Sequence, residues 1–198
     1  MSTPPLQLVL VRHGETEWSK NRKHTGRTDL PLTEDGEAEA RKVKPLLEGR
    51  GFTKVISSPL SRALETCRLA GLGDEVETND ELLEWDYGEY EGITTVEIRE
   101  TRPDWVLWRD GCPGGETADD VGARCDRLLA ELESESGDVA IFGHGHTLRI
   151  LTARWLELPA AAGARFVLGT ATLSVLGWEH EWHAIRTWNA ATLSGLSA

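Results

Sequence analysis

The run Gln7–Arg12 (QLVLVR) is apolar and β-branched. It follows Pro4-Pro5 and stops at Gly14, a pattern that predicts a buried strand. Residues 33–50 have helical character. Thr33 is placed to cap them, acids fall in the first turn (Glu34, Asp35) and bases later (Arg41, Lys42, Lys44), an order that suits the helix dipole. Pro45 is expected to kink or shorten that helix. Residues 54–57 predict a short strand, and Ser58-Pro59 predicts the cap and first turn of a helix running to residue 70. A further strand is predicted over 75–78, and short helices over 95–102 and 103–109. A long helix is predicted over 117–135, its apolar stripe being Val121, Cys125, Leu128, Leu129 and Leu132. A second buried strand spans 138–142 and closes on Gly143. A helix follows over 147–156, then an alternating hairpin over 172–178 and 183–188 that turns at 179–182.

Strands that alternate with helices imply an α/β domain: a three-layer α/β/α sandwich on a mostly parallel, mixed central sheet, with the hairpin at one edge. The 198 residues suit one domain, 1–198, and suffice for an apolar core without staples. In such sheets ligands bind beyond the carboxyl ends of the strands. Two strands end there in nearly the same word, Arg12-His13-Gly14 and Gly143-His144-Gly145.

Composition narrows the partners. The formal net charge is −12, which argues against nucleic acid and anionic membranes as general partners. It also means that a phosphate can bind only where a few cations are concentrated in one concave place. Cys67, Cys112 and Cys125 are odd in number and form no CxxC pair, so they read as reduced core thiols rather than a disulfide framework or zinc site. The N-terminus has no basic leader before its short apolar run, so a cytosolic location follows by default.

With His13 and His144 at neighbouring strand tips, Arg12 offers a planar fork of donors to an anion. Arg62, one turn into its helix, is placed to point back at the same edge. An imidazole with one nitrogen held and the other free can act as a nucleophile. Glu84, flanked by Leu82, Leu83 and Trp85, is the candidate acid, and burial there is expected to raise its pKa. Glycines 14 and 145 are expected to let backbone N–H groups approach a ligand.

Arg12-His13-Gly14-Glu15-Thr16, then Thr25-Gly26-Arg27 through Thr33, Ser57-Ser58-Pro59-Leu60-Ser61-Arg62-Ala63, Glu84 with Gly88 and Glu91-Gly92, and Gly143-His144-Gly145-His146 occur in order. Together they resemble the histidine phosphatase superfamily in its phosphoglycerate-mutase-like branch, over about residues 6–150. The resemblance implies that His13 is the phosphorylated nucleophile, that Arg12, Arg62 and His144 clasp the phosphoryl oxygens, and that Glu84 donates a proton and then activates water. It implies no metal and no cofactor. Within the family the words Glu84-Trp85-Asp86-Tyr87-Gly88, Trp108-Arg109-Asp110-Gly111-Cys112-Pro113 and Gly143-His144-Gly145-His146-Thr147-Leu148-Arg149 are most similar to small acid phosphatases and sugar-bisphosphatase-like members. Mutases of the family carry an asparagine at the place of Ser19, a lysine near Thr94 or Thr95 and an arginine near Asp110. Charged hydrogen bonds contribute about 1.5–3 kcal/mol each, so losing these cations favours hydrolysis over mutase chemistry. A mutase is the alternative, and a non-catalytic phosphate-binding module is a third reading.

Further residues are expected on the substrate side: Ser19, Thr25 and Gly26 in the loop after the nucleophile, Gly145, and Trp108 and Arg109 after the acid. His24 shares the first of these loops. His146 either meets the leaving group or lines the pocket. Arg149 is expected to pack or pair on its helix. Trp18, Trp85, Trp105 and Trp108 are candidates to wall the site. His180-Glu181-Trp182-His183 falls on the predicted hairpin turn and reads as surface rather than metal site. A small phosphorylated metabolite is the expected partner, with a mildly acidic optimum. Sequence leaves the oligomeric state open, a homodimer being one option.

Overall fold

The computed structural model describes residues 5–74 and 76–192. Six strands, β1 (Gln7–Arg12), β2 (Phe52–Ser57), β3 (Glu77–Thr78), β4 (Asp138–Gly143), β5 (Leu173–Glu179) and β6 (Trp182–Ala190), form one sheet in the order β3-β2-β4-β1-β5-β6. Strands β3, β2, β4 and β1 run parallel, while β5 and β6 are antiparallel. The sheet is therefore mixed and mostly parallel, as the strand–helix alternation implied. The predicted strand over 75–78 is confined to Glu77–Thr78, and Glu75 lies outside the described residues.

Alternation along the strands splits the core in two. Leu8, Leu10, Ile56, Val139, Ile141 and Leu176 face a layer that includes α6 (Ala118–Leu132) and α7 (Gly145–Trp155). Val9, Val11, Val55, Ala140, Phe142 and Val175 face the layer of α2 (Glu34–Leu47) and α3 (Ser61–Leu69). The stripe expected on α6 is buried at Val121, Cys125, Leu128 and Leu132, with Leu129 at its margin. Cys67, Cys112 and Cys125 are free and buried, and burial pushes each thiol up to about 12. Among the described residues no helix is long and apolar enough to cross a membrane.

Local chemistry explains most of the element ends. Thr33 accepts from the Gly36 N–H and caps α2, which runs through Pro45 but stops at Leu47, three residues short of the expectation. Thr117 and Asp120 form a capping box for α6. Three short helices complete the set: α1 (Glu17–Lys20), α4 (Thr95–Thr101) and α5 (Leu107–Asp110). The helix expected over 103–109 is thus a single turn placed later. Residues 58–60 correct the sequence reading more substantially. Ser58-Pro59 does not start a helix; α3 begins at Ser61 after an extended Leu60, with no side-chain cap. Ser58 is spent elsewhere, against a buried imidazole.

Candidate active site

Parallel pairing of β1 and β4 sets Arg12 opposite Gly143, and the His13 N–H donates to the Gly143 carbonyl at 3.0 Å. His13 and His144 therefore leave adjacent strands at the same level, with ring centroids 5.2 Å apart. Both are buried. The His13 Nδ1 lies 2.7 Å from the Gly14 carbonyl oxygen. A carbonyl only accepts, so the neutral ring carries its proton on Nδ1 and keeps a lone pair on Nε2. Burial, then the Arg62 and Arg12 charges, hold this imidazole well below the usual histidine range. It is unprotonated at neutral pH.

Gly14 serves packing rather than anion binding. A Cβ there would lie 2.3 Å from the Gly36 carbonyl oxygen at the start of α2. Its N–H is spent on the Thr66 hydroxyl at 3.0 Å. Gly145, by contrast, lines the cavity described below, and a Cβ on it would press on the Arg12 guanidinium at 3.3 Å.

Arg62 and His144 lie side by side behind His13. The Arg62 Nε–H donates to His144 Nδ1 at 3.2 Å, so His144 carries its proton on Nε2 and donates it to the Ser58 hydroxyl at 2.7 Å. The other Arg62 donors reach the carbonyls of Thr25, Gly26 and Thr28. The same loop is gripped from its amide side by Glu91, whose Oε1 accepts from the Gly26 and Thr28 N–H groups at 2.8 and 3.0 Å. Both His144 ring nitrogens are thus engaged, and neither Arg62 nor His144 lines the open cavity.

That cavity, about 210 Å³, is lined by Arg12, His13, Ser19, Thr25, Glu84, Gly145 and His146, together with Arg22, Lys23, His24, Tyr87, Arg149 and Leu168. Drug-sized ligands occupy roughly 300–1,000 Å³, so the space suits a smaller molecule. Glu84 is the one carboxylate among these lining residues, against four cations. Arg12 donates through Nη1 to the Leu168 carbonyl, while its buried Nε has no partner and remains available.

Glu84 lies against the N-terminus of α7. Its Oε1 accepts from the Trp85 N–H, the Thr147 N–H and the Thr147 hydroxyl at 2.9, 3.0 and 3.1 Å, and its Oε2 accepts from the His146 N–H at 3.0 Å. Burial alone would raise this carboxyl, but the donors and the helix end outweigh it, and the net shift is below the ordinary carboxylate value. Sequence reading, which counted only Leu82, Leu83 and Trp85, gave the opposite direction. His146 also acts on Glu84 electrostatically, yet burial holds the His146 imidazole itself down to about 3, so at neutral pH the donors carry the effect.

The remaining expected residues are placed unevenly. Ser19 reaches the cavity, but its hydroxyl is used in a capping box with Thr16. Gly26 sits behind the cavity wall. Arg109 points away, paired with Asp110. Trp108 does not line the cavity; it stacks beneath Arg149, whose guanidinium is 4.6 Å from the ring. Trp18, Trp85 and Trp105 do not wall the cavity either; Tyr87 does, its hydroxyl 2.7 Å from His146 Nδ1. His146 lines the pocket and so takes the second of its two expected places. Arg149 was expected to pack or pair on its helix, and instead faces the cavity while donating to the carbonyls of Gly163 and Ala164. Arg22, Lys23, Tyr87 and Leu168 were not foreseen. Arg22 and Lys23 immediately precede His24 in the loop after the nucleophile, and their adjacency to it was the available signal.

The family described as histidine phosphatase superfamily (branch 1) matches residues 8–191. The chain is 45% identical over 178 residues to an acid phosphatase of Mycobacterium tuberculosis, covering 88% of this chain and 87% of that one. It is 38% identical over 182 residues to the sedoheptulose 1,7-bisphosphatase of Saccharomyces cerevisiae, covering 76% and 67%. Among solved structures it superposes on the product of an open reading frame, Rv3214, of Mycobacterium tuberculosis with a TM-score of 0.87 at 41% identity, covering 93% of this chain and 97% of that one.

Proposed function

Since the chain belongs to branch 1 of the histidine phosphatase superfamily, we propose that it hydrolyses small phosphorylated metabolites through a phosphohistidine on His13. The observation that carries this reading is the Nδ1 of His13 held by the Gly14 carbonyl, which leaves Nε2 as a fixed lone pair in the cavity floor. The lone pair attacks phosphorus, the N–P bond forms and the ester P–O bond breaks. Glu84 gives its proton to the departing oxygen. In the second half Glu84 takes a proton from water, the water oxygen attacks phosphorus, the N–P bond breaks and inorganic phosphate leaves.

Arg12 neutralises the phosphoryl oxygens directly through its unpartnered Nε edge. Arg62 contributes its charge from one layer back, and His144, fixed by Ser58, orients Arg62. The two guanidinium charges also keep His13 unprotonated and therefore nucleophilic. Names of the relatives, an acid phosphatase and a sugar bisphosphatase, support a small phosphate ester as the substrate. Three thiols kept out of disulfides fit a cytoplasmic location.

The test is rapid quenching into alkaline detergent after mixing with a phosphate ester carrying ³²P. A transient acid-labile, base-stable adduct is expected on native enzyme, and none on His13→Ala, whose turnover drops by at least about a thousandfold. Native turnover in the variant would defeat the scheme. Isomerised product without free phosphate would select the mutase alternative.

A further inference from the structure

We infer that Asn189, near the end of β6, is a positioning residue for the reaction: with Trp188 it clamps the loop whose carbonyl aims the Arg12 guanidinium at the phosphoryl group. The inference rests on the hydrolytic reading above and adds to it two residues that do not line the cavity.

Arg12 makes one side-chain hydrogen bond among the described residues, from Nη1 to the Leu168 carbonyl. A guanidinium is a rigid planar fork, so holding Nη1 decides where its Nε edge points. Leu168 itself lines the cavity. It lies in residues 166–169, which belong to no helix or strand, beside the exposed Val167. A carbonyl in such a segment can aim a side chain only if the segment is itself held. Here three consecutive residues are tied. The Val167 carbonyl accepts from the Trp188 Nε1–H at 2.7 Å, the Leu168 carbonyl accepts from Arg12, and the Gly169 N–H donates to Asn189 Oδ1 at 2.7 Å. The Trp188 ring also packs on Phe166, with centroids 5.3 Å apart.

Strand β6 is shaped to deliver these two side chains. Between the pairs Leu173–Ala190 and Val175–Thr187, β5 supplies only Ser174 while β6 supplies both Trp188 and Asn189. The extra residue makes a β-bulge, a device that re-aims side chains. Asn189 occupies it at φ 57°, in the left-handed region that asparagine enters more readily than most residues. Its N–H is fixed by the buried Ser174 hydroxyl at 3.0 Å. An uncommon backbone conformation, pinned on both sides and spent on a loop beside the reacting centre, points to function. The sheet order places β5 between β6 and β1, so the clamp reaches over one strand to the tip that carries Arg12 and His13.

The experiment measures kcat/KM with p-nitrophenyl phosphate, the Ki of inorganic phosphate and Tm for native enzyme, Asn189→Gly, Asn189→Asp and Trp188→Phe. It adds ¹⁵N-arginine NMR of the Arg12 Nε–H, assigned with Arg12→Lys. Glycine accepts φ 57° without strain, so Asn189→Gly removes the Oδ1 clamp while Tm is expected to hold. In that variant kcat/KM should fall and Ki rise by about tenfold, the scale of one charged hydrogen bond, and the Arg12 resonance should shift or broaden. Asn189→Asp keeps the acceptor and should restore most of the loss. Trp188→Phe keeps the ring on Phe166 but loses the N–H, and should fall in the same direction. In an Arg12→Lys background Asn189→Gly should change kcat/KM by less than about twofold, because no guanidinium remains to be aimed. An equal fall in both backgrounds, an Arg12 resonance unmoved by Asn189→Gly, or Asn189→Asp as impaired as Asn189→Gly overturns the inference. If native enzyme hydrolyses no phosphate ester, the phosphatase reading fails instead, and the Arg12 resonance alone decides whether the clamp exists.

Discussion

Thr147 holds Glu84 with two donors at once, its backbone N–H at 3.0 Å and its hydroxyl at 3.1 Å, both on the same carboxylate oxygen. The first turn of α7 thereby fixes the carboxyl that the mechanism needs beside the leaving group, and it does so while favouring the charged form. The other oxygen accepts only the His146 N–H and is the one free to carry a proton.

The first prediction concerns pH. Glu84 acts as a donor only when protonated, and its pKa is lowered, so its protonated fraction grows as pH falls. His13 acts only when neutral, and its pKa is also lowered, so acidification to below the ordinary histidine range does not silence it. A bound phosphate dianion raises the Glu84 pKa and moves the effect toward working pH. The rate with p-nitrophenyl phosphate is expected to climb from pH 8 to pH 5, and Glu84→Gln to abolish that climb. Activity rising steadily into alkali would contradict this assignment.

Acid should nevertheless weaken the fold. His13, His144 and His146 are all held below their unfolded value near 6.5. Their neutral burial contributes stability that is fully present above that value. It is lost as pH falls toward each folded pKa, which for His146 is about 3. Glu84, also depressed, acts in the same direction below the carboxylate range. Each histidine adds a slope of up to about 1.4 kcal/mol per pH unit. Thermal denaturation between pH 7.5 and 5 should show Tm dropping with acid, and inorganic phosphate should restore part of it. A flat Tm over that window would refute the neutral burial of these rings.

Arg124 is predicted to matter without approaching the substrate. It is buried, donates to the Glu81 and Leu83 carbonyls on the approach to Glu84, and pairs with Glu116 at 2.7 Å. Glu116 in turn accepts from the Asp86 N–H at 2.8 Å. Arg124→Ala leaves the largely buried Glu116 carboxylate with only the more distant, part-exposed Arg27 at 3.6 Å, so the loss falls below the about 3–5 kcal/mol of a fully uncompensated buried charge. Urea titration should register that loss. The surviving folded fraction should show lower kcat and an altered acid limb, because the Glu84 segment is released. Arg124→Lys should recover stability more than kcat, since a single ammonium cannot bridge both carbonyls and the carboxylate.

Gly14→Ala is expected to be severe for a simple steric reason. The added methyl would meet the Gly36 backbone carbonyl at 2.3 Å, and backbone on both sides resists moving. Overpacking of this kind costs about 1–3 kcal/mol or more, and the displaced Gly14 carbonyl would release His13. Gly36→Ala meets Glu15 in the same way, at 2.1 Å, and should behave alike. Normal turnover with unchanged Tm in either variant would show that this contact does not hold the nucleophile in place.

Much of the molecule was legible before any coordinates. Continuous apolar runs closed by Gly gave the buried strands around 7–12 and 138–142, and the period of α6 gave its buried stripe, because these elements bury apolar surface whatever they pack against. Two identical His-Gly endings on such strands, with Arg62 and Glu84 in ordered motifs, named the catalytic candidates. What failed was what depends on partners distant along the chain. Ser58 looked like a helix cap because a serine before a proline usually is one; only the approach of β4 gave its hydroxyl to His144. Glu84 looked desolvated because its neighbours in sequence are apolar; the donors that lower its pKa come from residues 146 and 147, brought there by the fold. Arg22 and Lys23 had only their place beside His24 as a sequence mark, and Arg149 read as an ordinary helix cation. Their meaning lies in lining one cavity with Arg12, His13 and Glu84, and that grouping is a property of three-dimensional neighbours alone.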